Sequence, residues 1–277
     1  MDIIPFCDNL SSYYCACFKD ATHSFNHSIK QHSCIYHLNF YYQGINMSEV
    51  VQGAKSFSRS ISILQLISDQ KVPVNTAALL KLCDLTKPTL YRILAALEAE
   101  NLVIQNSDKT YQLGSRLVSL AHRALAQNNL IDIAKPALEQ LRDTTGETVH
   151  LAIRNQYELI YIDKIESREV VRMASTIGTR VPFHSSAVGK AFLAGLSEEN
   201  AETLINELPL STVTAQSTTD KGSLIAGIKK ARALGYAFES EENEAGIVCF
   251  GGAIYDAKSN PSASVSVSIP MYRLKSD

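Results

Sequence analysis

Apolar positions along the chain change their spacing several times, and each change marks an element. Ile61, Ile63, Leu64 and Ile67 gather mostly on one side, which predicts a helix over Ser58–Ser68. "SDQKVPVN" follows as a connection, and Asn75 is placed to cap a second helix over "TAALLKLC". After the tight link "DLT", Leu90, Ile93, Leu94 and Leu97 fall at i, i+3, i+4 and i+7. That spacing gives a third helix one buried stripe. Thr86 is its predicted N-cap, and Pro88 falls in the first turn, where a missing N–H leaves nothing unsatisfied. "LVIQNSDKTYQLG" then reads as two short strands around the polar turn "NSDK". Three helices, a short link between the second and third, and a hairpin make the order of a winged helix-turn-helix.

Gly114 to Asn129, "GSRLVSLAHRALAQNN", is amphipathic, with Leu117, Leu120, Ala121 and Leu125 on one flank. It is either a rigid connector or a dimerisation surface. Beyond Leu130 the pattern changes. "IDIAKPALEQLRDTTG" predicts a helix ended at Gly146, and "TVHLAIRNQYELIYID" two strands joined at Asn155. "VVRMAS" reads as a third strand. "SSAVGKAFLAGL" predicts a helix from Ser185 or Ser186, "SEENAETLINEL" another capped by Ser197, and "KGSLIAGIKKARALG" a third stopped by Gly235. "YAFES", "GIVCFGGAIYD" and "ASVSVSIP" close the chain as strands. Helices interleaved with a mainly antiparallel sheet predict an α+β domain.

The third helix raises a chemical question. Lys87, Thr89, Tyr91 and Arg92 crowd its first turn and a half, where the macrodipole disfavours cations and favours an incoming anion. In a winged helix this end enters the major groove. Lys87 and Arg92 can neutralise phosphate or reach guanine, and Thr86 and Thr89 can donate to phosphate. Tyr91 offers a hydroxyl or a ring face, and Lys109 at the hairpin tip can touch the backbone beside the groove. A merely solvated face is the alternative for Lys87 and Arg92. Charge distribution agrees with a nucleic-acid reader. Residues 47–125 hold nine Lys and Arg against six Asp and Glu, and residues from 126 onward fifteen against nineteen. The whole chain is near neutral, at −2.

The chain has 277 residues, enough for two cores, and 45% hydrophobic content with 19% charged, as in ordinary globular proteins. No apolar run reaches membrane-spanning length and no signal-peptide pattern is present, so a cytoplasmic protein with no membrane partner is expected. Cys7, Cys15, Cys17 and Cys34, with His23, His27, His32 and His37, crowd the N-terminal end. Their spacings fit no common paired-ligand pattern, so no metal or cofactor is assigned. The first 46 residues read as a disordered extension, or as sequence upstream of a start at Met47. Catalysis by Cys249 with His184 or His150 as base is a competing reading, but no spacing unites these groups, and neither phosphate loops nor HExxH patterns occur. The expectation is therefore not an enzyme, with no catalytic residues.

Several longer stretches carry a family resemblance. "LTKPTLYRILAALEAENLV", "YQLGSRLVSLA", "GETVHLAI", "YIDKIES", "RMASTIGTRVPFHSSAVGKAFLA", "ARALGYAFESEENEAGIVCFGGAIYD" and "SVSVSIP", in this order, resemble IclR-type bacterial transcriptional regulators from about Ser56 to Ile269. The resemblance implies a winged helix-turn-helix over 54–114, a linker and dimerisation helix over 115–129, and a GAF-like effector-binding domain over 130–277. It implies operator DNA as partner, a homodimer or homotetramer, and an organic-acid effector that shifts DNA affinity. "YIDKIES" and "RMASTIGTRVPFH" look most like members that sense sugar acids. Carried over by position, Ala187 and Val188 offer backbone N–H groups to the effector, and Glu239, Cys249, Ser266 and Ser268 line its pocket. Val188 stands where small residues are frequent in the family, and Pro88 where serine is. A ligand-sensing module that does not touch DNA is the alternative function.

Overall fold

The computed structural model describes residues 53–127, 129–169 and 173–274. The cysteine- and histidine-rich N-terminal segment, and the start at Met47, lie outside them. The chain divides into two compact units between residues 128 and 129.

The N-terminal unit runs α1 (Lys55–Ser68), β1 (Val74–Asn75), α2 (Thr76–Leu82), α3 (Lys87–Ala99), β2 (Val103–Gln105), β3 (Thr110–Leu113) and α4 (Ser115–Ala126). Asn75 caps α2 as expected, its side chain accepting from the Ala78 N–H at 2.9 Å. The α3 stripe is buried in full: Leu90, Ile93, Leu94 and Leu97 pack with Ile63, Leu79, Val103 and Tyr111. α1 starts three residues earlier than expected and faces the core through Ile63, Leu66 and Ile67, leaving Ile61 exposed. Its buried stripe is thus i, i+3, i+4, with Leu66 in place of Ile61. The wing is a three-stranded antiparallel sheet in the order β1-β3-β2. Gly114 closes it against the end of α3. Its N–H donates to the Leu102 carbonyl at 2.8 Å, and a Cβ there would lie 2.1 Å from the Asn101 carbonyl oxygen. Only glycine fits that approach.

The C-terminal unit contains α5 (Leu130–Thr145), β4 (Thr148–Asn155), β5 (Glu158–Ile165), β6 (Arg180–Pro182), α6 (Ala187–Gly195), α7 (Glu198–Glu207) and α8 (Lys221–Leu234). β7 (Ala237–Ser240), β8 (Ile247–Tyr255), β9 (Pro261–Pro270) and a 3₁₀ turn at Met271–Arg273 complete it. The strands form one six-stranded sheet, β6-β5-β4-β9-β8-β7, antiparallel at every pairing. Side chains alternate across it. On one face Ala152 and Tyr161 pack with Val188, Phe192, Leu204 and Leu224 of the helices α6 to α8. α5 packs on β4 and β5, with Ala134, Leu138 and Leu141 buried.

One expected strand is corrected. In "VVRMAS", residues 170–172 lie outside the described residues, and Met173–Ser175 are not strand. The Met173 and Ser175 carbonyls accept from Lys164 Nζ at 2.8 and 2.7 Å, so a lysine occupies bonds that a neighbouring strand would make. The strand that does pair with β5 is β6, beginning at Arg180.

Candidate nucleic-acid interface and effector site

α3 presents its polar edge to solvent at its N-terminal end. Thr86, Lys87, Tyr91 and Arg92 are exposed, and Thr89 is half-buried. Thr86 is the residue before the helix, but its side chain makes no capping bond. Instead the Thr86 and Thr89 hydroxyls bond each other at 2.9 Å. Lys87 Nζ lies 6.0 Å from the centroid of the Tyr91 ring, and the Tyr91 hydroxyl is 3.5 Å from that of Thr76 at the start of α2. Lys109 sits at the wing tip with φ at +66°, its N–H held by the Asn106 carbonyl at 3.0 Å. Asp108 beside it folds back, accepting from the Thr110 hydroxyl at 2.6 Å and N–H at 3.0 Å, and these bonds hold its carboxyl below the usual range. Among the described residues, Lys87, Arg92 and Lys109 pair with no carboxylate, whereas nearby Arg116 is paired with Glu100. Thr76 was not foreseen at this surface, because its place beside Tyr91 depends on how α2 packs against α3.

The second candidate region is the face of the C-terminal sheet beneath α6. Register aligns Glu239 with Cys249, Cys249 with Ser268, and Ser266 with both Gly251 and His150. These side chains share one face by alternation. Gly251 lets α6 approach it: a Cβ there would lie 2.3 Å from the Ala187 carbonyl oxygen. Ser186 caps the helix by accepting from the Gly189 N–H at 3.1 Å. The N–H groups of Ala187 and Val188, both buried, have no acceptor among the described residues. The structure therefore brings together all six residues expected around the effector. It adds His150, Tyr161 and Ser264 to the same face.

The polar groups there form a chain. The Cys249 thiol donates to Ser268 Oγ at 3.3 Å, and Ser268 Oγ lies 3.3 Å from His150 Nδ1. His150 Nε2 lies 2.7 Å from Ser175 Oγ, and its ring stacks on Tyr161 with centroids 4.4 Å apart. Burial, with Lys164 nearby, pulls the imidazole down to about 3, so the ring is neutral and one nitrogen donates while the other accepts. Burial pushes the Cys249 thiol well up, and Glu239 adds to this. A protonated thiol is a poor nucleophile, which argues against covalent chemistry at this cysteine. His184, the other base considered, is bonded to the Ser211 carbonyl at 2.8 Å.

Glu239 is 1% exposed, and burial raises its carboxyl to about 7, against the pull of Cys249, the Glu242 amide and Lys190. Its Oε2 accepts from the Glu242 N–H at 2.9 Å, while its Oε1 is buried without a hydrogen-bond partner. The Cys249 thiol has one hydrogen to give and lies within reach of both Ser268 Oγ and the Glu239 carboxyl. Ser264 Oγ is likewise buried without a partner. The loop after β7 is tied down around this point: Glu242 pairs with Lys190 of α6 and accepts from the Thr218 hydroxyl at 2.8 Å, and Ser185 donates to Asn243 at 3.3 Å. Ser266 and Ser268 were legible from their two-residue spacing. His150 was weighed only as a catalytic base, because nothing local shows which strand lies opposite it.

The chain is similar to known regulators across most of its length. Residues 122–277 match the bacterial transcriptional regulator IclR C-terminal domain, and residues 56–107 the IclR helix-turn-helix domain. It is 32% identical over 227 residues to the HTH-type transcriptional repressor AllR of Escherichia coli K12, covering 82% of this chain and 84% of that one. It is 32% identical over 215 residues to the HTH-type transcriptional regulator XynR of the same strain, covering 77% and 85%. Among solved structures, IclR of Thermotoga maritima shares 31% identity over 79% of this chain and 88% of that one, with a TM-score of 0.58.

Proposed function

This chain belongs to the IclR family of bacterial transcriptional regulators, and from that premise we propose how it acts. α3 inserts its N-terminal end into the major groove of operator DNA, with Thr86, Lys87, Thr89, Tyr91 and Arg92 toward bases and phosphates and Lys109 on the flanking backbone. A small organic acid of the sugar-acid type binds beneath α6, held by the Ala187 and Val188 amides and by Glu239, Cys249, Ser266 and Ser268. Its binding changes operator affinity, and the regulation is repression, as the printed name of AllR has it for that protein. The working form is a homodimer or homotetramer in the cytoplasm. Val118 and Leu120 of α4, 71% and 52% exposed, give a second copy an apolar surface.

The observation that carries the DNA reading is the polar edge at the start of α3, where Lys87 and Arg92 are exposed and paired with no carboxylate among the described residues, opposite the wholly buried stripe of Leu90, Ile93, Leu94 and Leu97. Phosphate and guanine recognition needs that disposition. Arg92→Ala should weaken binding to the protein's own promoter region by about five- to hundredfold, and leave effector binding unchanged. Equal affinity of wild type and variant in a mobility-shift titration would remove α3 from the interface. Two unmatched amides at a helix start support the effector reading, since such groups suit a carboxylate. Linkage requires operator DNA to change effector affinity by the same factor that effector changes operator affinity.

A further inference from the structure

The turn after β7 is fastened to two other pieces of chain, and Glu242 carries most of the bonds. Its carboxylate pairs with Lys190 of α6 and accepts from the Thr218 hydroxyl at 2.8 Å and N–H at 3.3 Å. Its carbonyl accepts from the Ser217 hydroxyl at 2.7 Å and the Thr214 hydroxyl at 3.2 Å. Its N–H donates to Glu239 Oε2 at 2.9 Å. The Lys190 and Glu242 side chains are only 12% and 14% exposed. An ion pair so far from water is screened little by salt, and removing one partner strands the other charge.

The fastenings converge on the start of α6. Residues 211–218, in the connection between α7 and α8, form a strap tied to the turn, where Thr214 Oγ1 also donates to the Glu241 carbonyl at 2.6 Å. The other end of the strap is held by His184, whose Nε2 lies 2.8 Å from the Ser211 carbonyl. Asn243 of the turn accepts from Ser185 at 3.3 Å. Strap and turn are thus anchored just before the first turn of α6, at His184 and Ser185, and just after it, at Lys190. Glu241, next to the ion pair, has φ at +57°, a conformation that a non-glycine residue keeps only where its surroundings enforce it. The Thr214 bond supplies part of that enforcement, and the Gly246 N–H, donating to the Glu241 carboxylate at 2.7 Å, supplies another part. A strained segment is held down by contacts outside itself.

We propose that Lys190 and Glu242 are the latch of a cover over the start of α6. The turn after β7 and the 211–218 strap stay closed while the pair is intact and release together when it is broken. The inference uses only contacts within this chain and stands apart from the effector reading. Its reporters are the Ala187 and Val188 amides, which are buried and have no acceptor among the described residues. An amide with no hydrogen bond to break exchanges as soon as water reaches it, so its rate measures how often the cover opens.

The test is hydrogen–deuterium exchange of the full chain, resolved to the Ala187 and Val188 amides. Glu242→Gln keeps the side chain's size and an acceptor for Thr218 while removing the charge that Lys190 faces. It should speed exchange of both amides about tenfold or more and leave the amides of α5 and α8 at their wild-type rates. Lys190→Met should do the same, and the double variant should exchange no faster than either single one, because both changes break one contact. Unchanged exchange in both single variants overturns the latch. Faster exchange in α5 and α8 as well overturns it too, since a merely destabilising substitution acts on the whole unit. A double variant whose effect is the product of the two single effects gives the residues independent roles, and sinks the proposal equally.

Discussion

At Glu239 a carboxyl is held almost wholly out of water, and its titration becomes a stability statement. Its ordinary value is 4.5 and its folded value about 7, with Lys190, Glu242, Cys249 and Tyr161 the titratable groups around it. Between those values the folded state binds the proton that the unfolded state has released, so stability falls as pH rises through that window. A displacement of this size corresponds to about 3 kcal/mol as an upper figure. His150 works in the other direction: with a folded value of about 3 against 6.5, it lowers stability as pH falls below 6.5. Subtracting wild type from Glu239→Gln isolates the carboxyl. The variant's stability advantage in urea unfolding should grow from pH 4.5 to pH 7 and level off above; a constant difference across that range would contradict the buried, raised carboxyl. At the DNA surface Lys87→Ala should lower affinity for all sequences alike and reduce the salt slope by about 1. Which side chains share a face was readable here from spacing alone. Which buried atoms lack partners was not, because that depends on the register of β7 against β8.

The elements were legible where their apolar period is long and their ends carry caps. α3 shows its stripe over four residues, and α5 and α8 stop at Gly146 and Gly235, both in the left-handed region. β1 and β6, two and three residues long, escaped because only their partners define them. The run "VVRMAS" misled for the converse reason: β-branched residues suit a strand, but Lys164 holds the later carbonyls. Two tests belong at this scale. Leu94→Ala, at 1% exposure in the α3 stripe, should destabilise the N-terminal unit by about 2–5 kcal/mol and abolish operator binding through loss of the helix's seat. Ser186→Ala removes the cap of α6 and should cost about 1 kcal/mol. It leaves the Gly189 amide as a third unmatched donor, so the melting transition of the C-terminal unit should drop by a few degrees. An unchanged transition would mean that the cap is replaced by water.

For the whole molecule, the division into a helix-turn-helix unit and an IclR C-terminal unit was readable as a change of periodicity near residue 130. The proposed assembly rests on one apolar flank that nothing covers among the described residues. α4 has no buried residue, although Leu117, Val118, Leu120 and Leu125 punctuate it. Leu120→Glu should shift sedimentation equilibrium toward the monomer, and it should weaken operator binding more steeply at low protein concentration than at high. An unaltered association constant would place the dimer contact elsewhere. The meeting of Gly251 with Ala187 has a mechanical consequence. Helix and strand touch there main chain to main chain, with no side-chain layer to absorb displacement. A joint without padding has no slack: any side chain in place of Gly251 would have to lift the first turn of α6, and the helix runs on from Ala187 for only eight residues before Gly195 lies against Ala253 and Pro261.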